Sequence, residues 1–300
     1  MEQSVLVPYN GSQQSRSALT YAAETFSDAT ITVLYAIEPF PEIPEEEQQS
    51  REQCREAYET AHTLIAEARQ VADDRRSDVT AEFIYGHPVH AVLRYASLYT
   101  FDQIVLEDGC DRAETVDGAL GNITETIVRR ADVPVTIVRS ARDDTPISSP
   151  ETILVPFDGS TPACTALEYA METFPEATIH VLYIRYPFVD DVDQPGVRSR
   201  DHADFDAWYE AIRDWHAHAD RNPEHILQIA ESIASDTDVD IQTVVQTGNP
   251  LHAILDYLNR IDADRLTIGS HSRDEGTRIL LGSVAQFIVR RASLPVTVIR

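Results

Sequence analysis

Short runs of consecutive apolar residues alternate along this chain with longer stretches in which apolar positions recur every three or four residues. Val5–Pro8 and Ile153–Pro156 are apolar runs stopped by Pro and a Gly turn, which predicts a strand at each. After the second of these, Ala163, Ala166, Leu167, Ala170 and Phe174 recur at helical spacing, and Ser160 stands where a helix cap belongs. Ala18, Leu19, Ala22 and Phe26 repeat that helix earlier in the chain. Ile31–Ala36 and Ile179–Ile184 predict second strands, Val79–Ile84 and Val239–Val245 third strands, Ile104–Leu106 and Leu266–Ile268 fourth strands, and Val135–Val138 and Val296–Ile299 fifth strands. Between them the pattern predicts helices over Cys54–Ala72, Asp204–His218, Glu224–Ile233, His90–Leu98 and His252–Leu258, with two more starting at Asn122 and Ser283. Strands that are apolar throughout and alternate with helices imply a parallel sheet covered on both faces.

The pattern occurs twice. Ser4-Val-Leu-Val-Pro-Tyr-Asn-Gly-Ser12 corresponds to Thr152-Ile-Leu-Val-Pro-Phe-Asp-Gly-Ser160, Gly86-His-Pro88 to Gly248-Asn-Pro250, and Arg129-Arg-Ala-Asp-Val-Pro134 to Arg290-Arg-Ala-Ser-Leu-Pro295. A duplication this long is a pair of domains rather than a solenoid. The polar stretch Arg139–Pro150 reads as the linker, which divides the chain into domains 1–145 and 146–300. Each is expected to be an open five-stranded parallel α/β sheet, large enough to bury its own core.

Charge narrows the partners. The 300 residues carry 24 basic side chains against 50 acidic ones, a net charge of -26, and every basic residue is Arg. The acidic excess is spread over both halves. It argues against nucleic acid and anionic membranes, which need basic patches, and for a halophilic setting whose counter-ions screen self-repulsion. Cys54, Cys110 and Cys164 form no CxxC pair, so neither a disulfide scaffold nor a zinc site is indicated. The start lacks a basic leader and no apolar run nears the ~20 residues of a membrane span, so the expected localisation is cytoplasmic.

Candidate chemistry concentrates at the strand ends. In such sheets ligands sit outside the carboxyl ends of the strands, where Pro156, Asp158, Ile184, Gly248 and Gly269 fall. From Leu266 an apolar run leads through the small-residue loop Gly269–Gly276 to Gly282-Ser283-Val284 and an apolar-periodic helix. Small residues before a helix let backbone N–H groups approach an anion at the positive helix end.

The spacing Gly269, two residues, Ser272, nine residues, Gly282-Ser283 resembles the nucleotide-binding motif of the universal stress protein family, with Ser272 in place of its second glycine. Ile-Leu-Val-Pro-Phe-Asp-Gly-Ser160, Ala-Thr-Ile-His-Val-Leu-Tyr183, Gly-Asn-Pro-Leu-His-Ala-Ile-Leu255 and Gly269–Arg300 carry the resemblance, and the first half carries it more weakly. The chain is similar to tandem members of that family. The resemblance implies an adenine-nucleotide alpha-hydrolase-like, Rossmann-like fold. It also implies two halves packed as an internal pseudo-dimer through antiparallel last strands, with Thr136 near Thr297. A second half alone would then self-associate through residues 294–299, and further homo-oligomerisation stays open.

The resemblance implies ATP or another adenine nucleotide, with Mg2+, as cofactor. Asp158 and Ile184 would line the adenosine pocket, and Gly269, Gly282, Ser283 and Val284 would contact phosphates. Arg273 and Arg278 would offset the phosphate charge. In the first half Asn10 replaces Asp158, and Glu107, Asp108 and Asp111 set carboxylates where phosphates would sit, which predicts a non-binding domain.

Structural readings stand beside these. Ser283-x-x-Gln286 and Asn122-x-x-Glu125 read as capping boxes. Asp158 before Gly159 favours a turn without any ligand. His90 and His252 are expected partly buried against the sheet, Cys164 buried on its helix, and Trp208 and Trp215 in core or interface. His202, His216 and His218 lack a matching carboxylate pattern for metal. No base–nucleophile pair is evident, so an enzyme is the weakest of three readings. The others are a stress-response nucleotide-binding module without fast turnover and a non-nucleotide interaction scaffold.

Overall fold

The computed structural model describes residues 3–40, 47–73, 79–108, 121–139, 151–185, 222–270 and 281–300. In the first half β1 (Ser4–Pro8), β2 (Thr30–Ile37), β3 (Val79–Tyr85), β4 (Gln103–Glu107) and β5 (Val135–Val138) alternate with α1 (Gln13–Thr25), α2 (Glu47–Asp73), α3 (Pro88–Leu98) and α4 (Asn122–Arg130). In the second half β6 (Thr152–Pro156), β7 (Thr178–Arg185), β8 (Ile241–Thr247), β9 (Arg265–Gly269) and β10 (Val296–Ile299) alternate with α5 (Thr161–Thr173), α6 (Pro223–Ala234), α7 (Pro250–Arg260) and α8 (Ser283–Arg291).

Local chemistry starts most of the helices. Ser12 and Ser160 cap α1 and α5, their hydroxyl oxygens accepting from the amides of Ser15 at 3.0 Å and Ala163 at 3.4 Å. Asn222 and Asn249 cap α6 and α7 in the same way, at 3.0 and 2.9 Å. Pro88, Pro223 and Pro250 occupy first-turn positions, where a missing N–H costs nothing. Helix α2 extends further toward its N-terminus than the apolar spacing indicates. Its buried stripe is Ala61, Ile65, Ala68 and Ala72, and its leading turns are polar, with the Arg51–Glu47 pair one turn apart at 2.8 Å. The sequence-predicted helix over 204–218 and most of the linker lie outside the described residues.

The strands run in the order β3-β2-β1-β4-β5-β10-β9-β6-β7-β8. Pairing within each half is parallel. The halves join through antiparallel β5 and β10, in register Val296↔Ile137, Thr297↔Thr136 and Val298↔Val135. The Thr136 and Thr297 hydroxyls meet at 2.9 Å in the buried centre of this seam. Each last strand is thus the edge of its own half, covered by its counterpart.

The core divides by sheet face, not by half. One apolar cluster joins Val5, Leu19, Ala22, Phe26 and Ile65 to Ile153, Leu167, Phe174 and Ile226. The other joins Leu6, Tyr95, Ile104 and Ile127 to Leu154, Tyr257, Leu266 and Ile288. Both run through the seam, so the two halves share their apolar layers.

Candidate functional site

The carboxyl ends of β6, β7, β8 and β9 form one rim. Pro156, half-buried at the end of β6, pairs with Leu182 and sends the chain into a tight turn. There Asp158 Oδ1 accepts the Ser160 amide at 3.0 Å, and Gly159 adopts φ +75°, a region open mainly to glycine. The first half builds the same turn from Asn10, whose Oδ1 accepts the Ser12 amide at 3.0 Å, and from Gly11 at φ +79°. The turn therefore explains an Asn or Asp at this position but not the charge of Asp158. Next along the rim, Ile184 is half-buried beside Gln246 of β8. The Gly248 amide donates to the Arg185 carbonyl at 3.0 Å, just before the Asn249 cap.

Gly269 ends β9 against the backbone of α5. A Cβ there would stand 2.6 Å from the Ala163 amide nitrogen and would overlap the Pro162 carbonyl, so only glycine lets strand and helix approach this closely. Ser270 follows and is buried. Its amide donates to the Ile299 carbonyl at 2.7 Å, and its Oγ accepts the Gly282 amide at 3.2 Å. The sequence reading missed Ser270. Its adjacency to a strand-ending glycine was the available signal.

Gly282 is the N-cap of α8, with extended backbone at φ -56°, ψ 145°, and it offers no side chain to the first-turn amides. Ser283 is the first helical residue and is exposed, with Val284 half-buried after it. The capping box expected at Ser283-x-x-Gln286 is thereby corrected. The cap lies one residue earlier, and Gln286 donates its backbone amide to the Gly282 carbonyl at 2.8 Å. The Asn122-x-x-Glu125 box is corrected identically, since Gly121 caps α4. The first turn of α8 has no acid, whereas that of α4 contains Glu125.

In the first half the Gly121 amide donates to the Asp108 carbonyl at 2.8 Å, the counterpart of the bond from the Gly282 amide to Ser270 Oγ in the second. The Asp108 carboxylate is buried and lies 3.6 Å from the Arg139 guanidinium. Of the carboxylates expected to repel phosphate, Asp108 is therefore largely neutralised within the fold, and Asp111 lies outside the described residues.

Other candidates separate cleanly. Ser272, Arg273, Arg278, Trp208, Trp215, Cys110, His202, His216 and His218 lie outside the described residues. His90 and His252 are exposed rather than packed on the sheet, because each points from the outer side of its helix, toward His87 and Phe287 respectively. Cys164 is half-buried, and burial pushes its thiol up, aided by Glu168 and Asp158. A concavity of about 920 Å3 lies at the far end of α5 from Gly269. Its lining includes Glu168, Glu172, Glu176, Asp236 and Asp238, a field that repels anions. No helix among the described residues is long and apolar enough to cross a membrane.

Comparison with known proteins agrees with this architecture. The model of the universal stress protein family matches the chain twice, over residues 1–139 and 150–300. A universal stress protein of Mycobacterium tuberculosis is 26% identical over 314 residues, covering 99% of this chain and 96% of its own. One from Methanocaldococcus jannaschii is 26% identical over 148 residues, 49% of this chain and 81% of its own. The crystal structure of a universal stress protein from Archaeoglobus fulgidus superposes with a TM-score of 0.66 at 21% identity, covering 98% of this chain and 95% of that one.

Proposed function

The chain belongs to the universal stress protein family, and on that premise we propose that it is a stress-response module whose second half binds an adenine nucleotide, ATP with Mg2+ in the first instance, without fast turnover. One observation carries the reading. At a single rim, a strand end that only glycine fits, Gly269, lies beside a helix whose cap is a bare glycine, Gly282, and whose first turn carries no acid. Backbone amides at such a helix end attract anions through partial positive charge and unsatisfied donors. Asp158 and Ile184, with Pro156 and Gly248 beside them, would border the nucleoside. Gly282, Ser283 and Val284 would meet the phosphates, with Ser272 and Arg273 between Gly269 and Gly282 in the sequence. The first-half rim offers Glu107 at the strand end, a poor setting for a polyanion.

The alternative is a scaffold that binds no nucleotide. It is favoured by Ser272 in place of the motif glycine and by a sheet that unites both halves. Titration calorimetry of the full chain with ATP and Mg2+ in molar salt separates the two. One nucleotide per chain is the expected stoichiometry. Two per chain would overturn confinement to the second half, and no heat of binding would favour the scaffold.

A further inference from the structure

The seam between the halves is two-fold in backbone but unlike in side chains on both faces. On the α1 and α5 face, Arg265 of β9 is buried at 4% exposure and crosses into the first half. Its guanidinium donates to the Tyr21 hydroxyl, and to Thr25 Oγ1 at 2.8 Å. It stacks 4.6 Å from the Tyr21 ring centre and 4.7 Å from that of Phe174. The equivalent of Arg265 in the first half is Gln103, fully buried, whose Oε1 accepts from the Tyr169 hydroxyl at 2.5 Å. Tyr21 and Tyr169 are repeat equivalents, as are Thr25 and Thr173, and Phe26 and Phe174. Each tyrosine thus reaches across the seam to the fourth strand of the other half, and only one of the two receives a cation. Arg265 has no carboxylate partner among the described residues.

The α4 and α8 face repeats the asymmetry with different residues. Glu125 and Gln286 are equivalents, as are Arg129 and Arg290. Glu125 binds Arg129 at 2.5 Å and Arg290 at 3.3 Å. The Gln286 carbonyl, in the amide orientation that satisfies its neighbours, accepts from Arg290 at 3.1 Å and Arg129 at 3.2 Å. One carboxylate therefore serves guanidinium groups from both halves.

We infer that this seam is a heterotypic interface: Gln103 opposite Arg265 and Glu125 opposite Gln286 select a first half as the partner of a second half, against a second half of another copy. Pairing two second halves would duplicate Arg265 in the buried layer. It would also duplicate Arg290 while supplying no carboxylate. Each Arg265 would meet a tyrosine and a threonine of the other copy as it does now, but a second guanidinium in the same buried layer adds repulsion that no carboxylate there offsets. The expectation that second halves associate through residues 294–299, drawn from their apolar edge strand, is reversed by these side chains. The partner chemistry that fits the second half is an aromatic and hydroxyl face with a neutral amide at the 103 position and a carboxylate at the 125 position. Its own first half supplies this, so the strand edge closes within one chain.

The test is a swap in the full-length chain, read by urea unfolding in molar salt. Gln103→Arg alone gives the seam two buried guanidinium groups and should lower the folding equilibrium constant on the order of a hundredfold or more. The swap Q103R/R265Q moves the single cation to the equivalent place, where Tyr169, Thr173 and Phe26 stand as Tyr21, Thr25 and Phe174 do now. It should return to within about tenfold of the native value, a coupling between sites rather than two additive losses. A Gln103→Arg protein as stable as the native chain overturns the inference. So does a swap no better than Gln103→Arg alone, whether or not that single variant folds.

Discussion

Gly269 shows how a single missing Cβ can organise a site. A methyl group there would meet the Ala163 amide nitrogen at 2.6 Å and the Pro162 carbonyl more closely still, and both belong to backbone that cannot rotate away. Gly269→Ala should therefore destabilise the chain by about 1–3 kcal/mol, the range of overpacked positions. Urea midpoints measure this, and an unchanged midpoint would show that strand and helix are free to separate. The first half has Glu107 at the corresponding place, so the close approach is particular to the second rim. His180 makes a second prediction at this scale. Its Nδ1 lies 2.9 Å from the Tyr257 hydroxyl, and burial holds its pKa below the ordinary 6.5, with Asp240 opposing more weakly. A depressed pKa means that the unfolded chain binds more protons, so His180 should cost stability as pH falls below about 6.5 until the folded pKa is passed. Thr32 occupies the equivalent place in the first half. The variant His180→Thr should accordingly lose less stability than the native chain between pH 7.5 and 5.5. An equal loss in both proteins would show that the ring does not titrate in this way. The pairing with Tyr257 was not legible in the sequence, because it joins a strand to a helix far along the chain.

Among the elements, strands were read closely because apolar runs and turn residues carry their signal directly. Val135–Val138 and Val296–Ile299 occur with the bounds that their sequence indicates. Helix starts were harder. Where Gly precedes Ser or Asn, either residue can serve as cap, and the pattern alone favoured Ser283 and Asn122. The helices instead begin after Gly282 and Gly121, whose amides are tied to the residues that follow β9 and β4, to Ser270 Oγ and to the Asp108 carbonyl. This placement gives Gly282→Asp an unusual pair of expected effects. Asp is a preferred cap whose carboxylate accepts first-turn amides, so folding stability should hold or rise by a few tenths of a kcal/mol. The same carboxylate would occupy the helix end proposed for phosphate and repel it, so ATP binding should be lost. Calorimetry and urea unfolding on one preparation check both. Retained affinity in a stable variant would move the nucleotide away from α8.

At the level of the whole molecule, the duplication made the fold legible, and the family resemblance implied the antiparallel seam. What the sequence did not disclose is that the apolar layers belong to sheet faces shared by both halves, because periodicity records which positions are buried but not which half buries them. Nor did it disclose the unlike side chains along the seam, which become partners only once α1 faces α5 and α4 faces α8. The charge, by contrast, was plain from the start, and it makes the last prediction. With a net charge of -26 and no Lys, acidic groups on one continuous body repel one another over the Debye length. That length is about 30 Å at 0.01 M salt, about 10 Å at 0.1 M and about 3 Å at 1 M. Unfolding separates the charges, so screening favours the folded state. The melting temperature should rise with potassium chloride, steeply up to a few tenths molar and less beyond. Sulfate would confuse the reading, because it strengthens apolar burial whatever the charge. A rise that stays proportional to salt up to molar concentration would identify salting-out rather than screening. A flat profile would mean that the folded surface already spaces its carboxylates widely enough for their repulsion not to matter.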